Sequence, residues 1–302
     1  MKRSEIHIRD PFVLVHEGKY YLYGTRGATC WGPADGFDVY VGTDLENWSG
    51  PFECFHNDGG FWADRDYWAP EVHEWKGRFY MFASFRNESV CRGTAILAAD
   101  SPMGPFRPHS DGRVTPAQWE CLDGTFYVSR EGKPYMVFCH EWVQVGDGTV
   151  CAMPLTDDLR AAAGEPFVIF RATDAKWCRQ IEGAAGAPVG DMSGEKRIVR
   201  GYVTDGPFLW RMKNGALACL WASFSESGYT EALAVSDNGE IDGRFTQAEP
   251  LFWRDGGHGM LFNALDGATY LSLHSPNQTN QERPVFYPVR EENGTIRVDA
   301  GR

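Results

Sequence analysis

Four ionisable side chains stand at matching points of the chain. Asp10 lies in Arg9-Asp10-Pro11-Phe12, Asp123 in Asp123-Gly124-Thr125-Phe126, Asp205 in Asp205-Gly206-Pro207-Phe208 and His258 in Gly257-His258-Gly259. Glu71 lies slightly inside a fifth such segment, Trp68-Ala69-Pro70-Glu71. Carboxylates held close together raise one another's pKa values, so one can keep its proton near neutral pH while another is ionised. A general acid working beside a general base needs that division. Asp before Gly or Pro can also simply cap a turn. Three at equivalent points of a repeat favour chemistry over capping.

The elements that must position these groups are short strands. After Asp10, Phe12 and Leu14 and then Tyr21 and Tyr23 sit two apart, the strand period, with Glu17-Gly18-Lys19 as the turn between them. The same strand-turn-strand pattern follows Ala69, Asp123, Asp205 and His258, with turns at Lys76-Gly77, Glu131-Gly132, Asn214-Gly215 and Asp266-Gly267. The second half of the unit also recurs. Asp44-Leu45-Glu46-Asn47-Trp48 before Gly50-Pro51-Phe52 matches Asp100-Ser101-Pro102-Met103 before Gly104-Pro105-Phe106.

Four strands per unit and five units, starting near 10, 69, 123, 205 and 258, predict an all-β, five-bladed β-propeller over 1–302 as one domain. The long third interval holds an insertion, about 171–202, expected as a loop on one face. In a propeller the first strand of each blade runs nearest the axis. The unit heads should therefore converge on one mouth of the central channel.

Composition narrows the partners. A net charge of −12 disfavours nucleic acid and anionic membranes. A neutral sugar is compatible, and 11 Trp supply rings to line a groove. The start Met1-Lys2-Arg3-Ser4-Glu5 shows no leader pattern, and no apolar run reaches membrane-spanning length, so a cytoplasmic location is expected. Eight Cys form no C-x-x-C pair and are expected as reduced thiols. His7, His16, His56, His73, His109 and His274 lack metal-ligand spacing and are expected to be structural or at the surface. No phosphate-loop, dinucleotide or serine-hydrolase motif is present.

With these segments in this order, the chain resembles the five-bladed propeller glycoside hydrolases of family 43, which include β-xylosidases, α-L-arabinofuranosidases and arabinanases. The resemblance spans nearly the whole chain. It implies inverting hydrolysis of arabinose- or xylose-containing oligosaccharides, with no required cofactor. Asp10 would be the general base, and Asp123 would orient the pair and tune its pKa. His258 would be a channel histidine that contacts a water or an ion, Ca²⁺ among the options.

The family's general acid is a Glu at the head of the fourth unit, where this chain has Asp205, one methylene shorter. Asp205 therefore ranks first as acid, Glu141 (beside Trp142) second and Glu182 (in the insertion) third. Sugar contacts are expected from Trp31, Trp62, Tyr67, Trp68, Glu71, Trp142 and His258. The rival expectation is a non-hydrolytic propeller, binding carbohydrate or protein, that has lost its acid.

Overall fold

A computed structural model of the protein describes residues 1–185, 197–292 and 294–299. It is a five-bladed β-propeller, and each blade is an antiparallel four-stranded sheet. Blade one is β1 (Ile8–His16), β2 (Lys19–Arg26), β3 (Gly36–Gly42) and β4 (Trp48–His56). Blade two is β5 (Arg65–Trp75), β6 (Arg78–Arg86), β7 (Gly93–Ala99) and β8 (Arg107–Arg113). Blade three is β9 (Cys121–Val128), β10 (Pro134–His140), β11 (Thr149–Pro154) and β12 (Phe167–Arg171), with the short helix α1 (Trp142–Val145) after β10.

The expected loop contains a two-stranded sheet instead, β13 (Ile181–Ala185) paired with β14 (Arg197–Gly201). Its remainder, 186–196, lies outside the described residues. Blade four is β15 (Asp205–Arg211), β16 (Leu217–Ser225), β17 (Gly228–Ser236) and β18 (Phe245–Gln247). Blade five is β19 (Gly257–Asn263), β20 (Thr269–Ser275), β21 (Arg283–Glu292) and β22 (Thr295–Val298). Among the described residues no helix is long and apolar enough to cross a membrane.

The middle strands carry the core. Tyr23, Phe82, Phe85, Phe138 and Trp221 are almost wholly buried, because each sheet is covered on both faces by its neighbours. Both faces of such a strand are apolar, so simple alternation fades there. Hairpin turns fix the register. Glu17 and Gly18 both take positive φ, 46° and 72°, and so do Lys76 and Gly77. Two successive left-handed residues give the two-residue turn whose twist matches the strands it joins.

The innermost strands are bent at their heads. Left-handed backbone occurs at Asp10 (φ 53°), Ala69 (47°), Asp123 (56°), Gly206 (47°) and His258 (57°). Pairing slips across all five of these points, between Arg9 and Phe12, Trp68 and Glu71, Leu122 and Thr125, Asp205 and Phe208, and Gly257 and Met260. Such a bulge frees a residue from the ladder and re-aims its side chain. In blade four the left-handed residue is Gly206, so Asp205 enters the site one position earlier than the other heads.

Blades one and five are each complete from contiguous strands, and side chains join them. Arg9 Nη1 donates to Glu282 Oε1 at 2.7 Å and Ser272 Oγ to the Pro11 carbonyl at 2.8 Å. The Leu265 N–H donates to Tyr20 Oη at 2.8 Å.

Candidate active site

Four of the five heads carry a backbone N–H that the neighbouring blade receives. The Ala69 N–H donates to Thr25 Oγ1 (2.8 Å) and the Asp123 N–H to Ser84 Oγ (2.8 Å). The Gly206 N–H donates to Asp123 Oδ2 (3.0 Å) and the Asp10 N–H to His274 Nδ1 (3.2 Å). At the fifth seam the donor is Gly259, one residue past the head, and the acceptor is Glu231 Oε2 (2.9 Å). Buried N–H groups left without acceptors would be costly, so these bonds lock the heads to one another.

The heads meet at His258. Its Nδ1 lies 3.3 Å from Asp10 Oδ1, 3.6 Å from Asp205 Oδ1 and 3.7 Å from Asp123 Oδ2. The ring packs against Gly206, where an added Cβ would stand 2.7 Å from His258 Cγ. This cluster forms the floor of a cleft of about 1200 Å³, whose walls include Trp31, Trp68, Arg92 and Trp142.

Burial alone would push a carboxyl up and an imidazole down, but the neighbours decide. Burial opposes ionisation of Asp10, yet His258, Arg9 and the Thr25 hydroxyl (2.6 Å) outweigh it and hold Asp10 below the usual range. Asp123 is pushed well up, by burial and then by the Asp205 charge. Burial also opposes ionisation of Asp205, but the proton shared with Asp123 and the His258 charge 3.6 Å away, together with the Tyr229 hydroxyl at 2.6 Å, hold it down. Asp123 and Asp205 therefore titrate as a pair sharing one proton, seated on Asp123 at rest. Burial works against the charged form of His258, and Asp10, Asp123 and Asp205 override it and raise its pKa well above the usual value. Burial and Arg9 lower His274 to about 4, which leaves it neutral.

Thr25 is fully buried and serves two heads at once. Thr25→Val would strand the Ala69 N–H and an Asp10 oxygen. The expected cost is about 1–3 kcal/mol in urea unfolding, with a higher Asp10 pKa in a carboxyl NMR titration. The depressed Asp10 pKa contributes stability above the unfolded value of about 3.9, and that contribution is lost as pH falls through the folded value. The deficit of the variant should therefore be full at neutral pH and shrink in acid.

The structure brings Asp10, Asp123, Asp205 and His258 together. Glu141 lines the same cleft, but it is buried and held by Arg92 at 2.7 Å. The Arg92 guanidinium also reaches Asp66 at 3.0 Å and lies 3.9 Å from the Trp68 ring centroid. Trp31 is 59% exposed at the cleft edge. Trp142 lines the cleft too, with its ring packed beneath Gly183 and Gly201 of the β13–β14 pair.

Other expectations are corrected. Glu71 is outside the cleft lining: the bulge before it turns the carboxylate into the seam between blades two and three, where it accepts from Thr125 Oγ1 (2.5 Å) and meets His73 Nε2 (2.9 Å). Glu182 is exposed on β13, paired with Arg200 at 2.7 Å. Tyr67 and Trp62 pack on Phe85 in an aromatic cluster away from the cleft lining. His274, expected to be structural, touches Asp10.

Tyr229, Thr25, Arg9 and Arg92 were also missed. One signal was available. Thr25, Ser84, Cys139, Ala222 and His274 occupy one aligned position on the second strands, close to the next blade's head. A polar residue recurring there marks a side chain that faces the channel.

Asp123, Asp205 and His258 offer three donor atoms within 4.8 Å of one another, a set that could hold an ion. Calcium takes six to eight oxygen ligands. Here one Asp123 oxygen already accepts from Gly206 and one Asp205 oxygen from Tyr229. The set does not fit a calcium cage.

Comparison with known proteins shows the family. The family model for glycosyl hydrolases family 43 matches residues 4–292. The structure of an endo-arabinase from Bacteroides thetaiotaomicron VPI-5482 superposes with a TM-score of 0.86 at 38% identity, covering 97% of this chain and 98% of that one. A thermostable family-43 glycoside hydrolase superposes with a TM-score of 0.80 at 20% identity, covering 99% and 95%, which speaks to the fold. An extracellular exo-α-(1→5)-L-arabinofuranosidase of Cellvibrio japonicus is 26% identical over 177 residues, 53% of this chain and 47% of that protein. A xylosidase/arabinosidase of Bacteroides ovatus is 26% identical over 140 residues, 40% and 42%. The chain thus spans less than half the length of these two curated relatives. With the model matching nearly every residue and the catalytic-type carboxylates converging on one histidine, the chain belongs to glycosyl hydrolase family 43.

Proposed function

We propose that the protein is an inverting glycoside hydrolase that cleaves oligosaccharides containing arabinose or xylose. The observation that carries this is the convergence of Asp10, Asp123 and Asp205 on His258 Nδ1 with opposed protonation preferences. Asp10 is held ionised and is the general base for water. The Asp123–Asp205 pair holds the proton for the departing oxygen. Asp205 delivers it, because its side chain is 24% exposed against 5% for Asp123. Asp123 resupplies it through their hydrogen bond. His258 stays protonated throughout and balances the carboxylates. At the end of a turnover Asp10 carries one extra proton and the pair lacks one, and solvent restores both. The reaction as proposed uses no ion.

The substrate class is supported by the names of the relatives and by a cleft roomy enough for more than one sugar. Loss of the acid, the rival idea, finds little support. Asp205 is shorter than Glu, but it enters the site before the bulge rather than on it, and it faces the cleft.

Asp10 and Asp205 share one Nδ1, so their facing oxygens are at most about 7 Å apart, which admits the roughly 6.5–9.5 Å of an inverting pair at its lower end. Proton NMR of the first-formed sugar tests this directly. Inverted anomeric configuration is expected; retention would overturn the single-displacement mechanism. Hydrolysis of a panel of aryl α-L-arabinofuranosides, β-D-xylosides and β-D-galactosides tests the substrate class.

A further inference from the structure

Glu231, on β17, is a fully buried carboxyl that the proposed reaction does not use. Its surroundings follow the repeat. In blade two, Ser84 and its cross-strand partner Thr94 receive the Asp123 and Gly124 N–H groups of the next head. In blade four the position matching Ser84 is Ala222, which has no acceptor to offer. The cross-strand partner of Ala222 is Glu231, and it stands where Thr94 stands. Its Oε2 takes the Gly259 N–H at 2.9 Å.

The fit at this point is tight. A Cβ on Gly259 would lie 2.8 Å from Glu231 Cδ, much as one on Gly124 would lie 2.6 Å from Thr94. The residue so held is the neighbour of His258, whose left-handed backbone (φ 57°) aims the ring at the carboxylates. Left-handed backbone at a non-glycine residue costs free energy and persists only when its surroundings enforce it.

We propose that Glu231 is a positioning residue: by accepting the Gly259 N–H it holds the turn that aims His258 Nδ1 at Asp10, Asp123 and Asp205. This rests on the hydrolase reading for its meaning, but not for its test. The other oxygen, Oε1, is buried without a hydrogen-bond partner. Burial raises the Glu231 carboxyl to about 8, which favours its neutral form at pH 7. An unpaired neutral group is far less costly there than an unpaired charge. What the site needs from residue 231 is thus an acceptor of the right length, not a charge.

The test compares Glu231→Gln with Glu231→Leu. Glutamine keeps the acceptor and the neutrality, and leucine keeps only bulk. ¹⁵N-histidine-labelled protein reports the His258 ring directly, with the signal assigned by a His258→Gln control. The charged and titratable groups facing that ring are Asp10 from β1, Asp123 from β9, Asp205 from β15, Glu231 from β17 and His274 from β20.

Glu231→Gln should leave the His258 shifts and titration as in wild type, with kcat within about threefold. Glu231→Leu should move both and lower kcat by about 10–100-fold, the scale of an ångström of misplacement, with KM little changed. Unmoved His258 signals in Glu231→Leu would overturn the proposal. So would a Glu231→Gln as disturbed as Glu231→Leu, since the acid proton itself would then matter. Should Glu231→Leu fail to fold, Gly259→Ala decides. Its Cβ forces the turn aside with Glu231 intact, and unshifted His258 signals there would overturn the proposal. A wild type inactive on every glycoside would sink the hydrolase reading and leave the NMR comparison standing.

Discussion

Asp10→Asn should reduce kcat/KM by about 10²–10⁴-fold, the usual worth of a general base, with the fold retained. The substitution removes one negative charge and little volume. Thr25 can still donate to the amide oxygen, so the head should stay in place. What is lost is the group whose carboxyl is held ionised by His258, Arg9 and the Thr25 hydroxyl. Far-UV circular dichroism should match wild type while hydrolysis falls. Retention of more than a tenth of the wild-type rate, roughly, would reject Asp10 as the base.

The substitution also removes a counter-ion of His258, and the pH dependence of the stability loss follows from both partners. The depressed Asp10 contributes above its unfolded pKa of about 3.9, and the raised His258 contributes below its unfolded value of about 6.5 and loses that as pH rises through its folded pKa. The stability deficit of Asp10→Asn should therefore be largest between those two values. A deficit that grew steadily toward alkaline pH would mean that the two groups are not paired in solution.

The second large effect separates the candidate acids by leaving group. Asp205→Asn should cost about 10²–10⁴-fold on unactivated oligosaccharides, where the departing oxygen needs a proton. On a dinitrophenyl glycoside, whose leaving group needs none, the loss should shrink to about tenfold or less. Glu141→Gln should behave differently. It removes a charged partner from the buried Arg92, and breaking a buried pair costs about 3–5 kcal/mol. The outcome expected is a lower melting temperature and a rate loss independent of leaving group. If Glu141→Gln instead shows the steep leaving-group dependence and Asp205→Asn does not, the acid is Glu141 and the assignment above falls.

The sequence carried the blade count because the apolar alternation and the turn glycines repeat locally, within each unit. It carried Asp10, Asp123 and His258 for the same reason: each is a head whose neighbours are Gly or Pro. Asp205 was found, but its offset from Gly206 was not visible, because a bulge shows in φ and in pairing rather than in residue type. His274 was misjudged because its partner, Asp10, is 264 residues away. Only the closed ring brings them together.

Tyr229 carries no local signal, because its partner Asp205 lies 24 residues earlier in the chain. Glu71 shows the converse case. Its position near a head suggested the cleft, but two residues beyond the left-handed Ala69 the side chain alternates into the seam. The β13–β14 pair was read as loop because Gly183, Ala184 and Ala185 carry almost no apolar pattern. Its placement comes from Trp142, whose ring needs the space those glycines leave.

Among the described residues blades one and five share no strand at their joint, and this has a consequence for heat inactivation. Asp10 is bound to His274 across that joint, beside Arg9 and Glu282. Asp10, the proposed base, is therefore also part of the clasp that closes the ring. Warming that springs the clasp would carry Asp10 away from Asp123 and Asp205 while every sheet kept its hydrogen bonds. The enzyme would fall silent with its strands still folded, and a covalent staple between the first and last blades would lengthen its working life more than any repair within a blade.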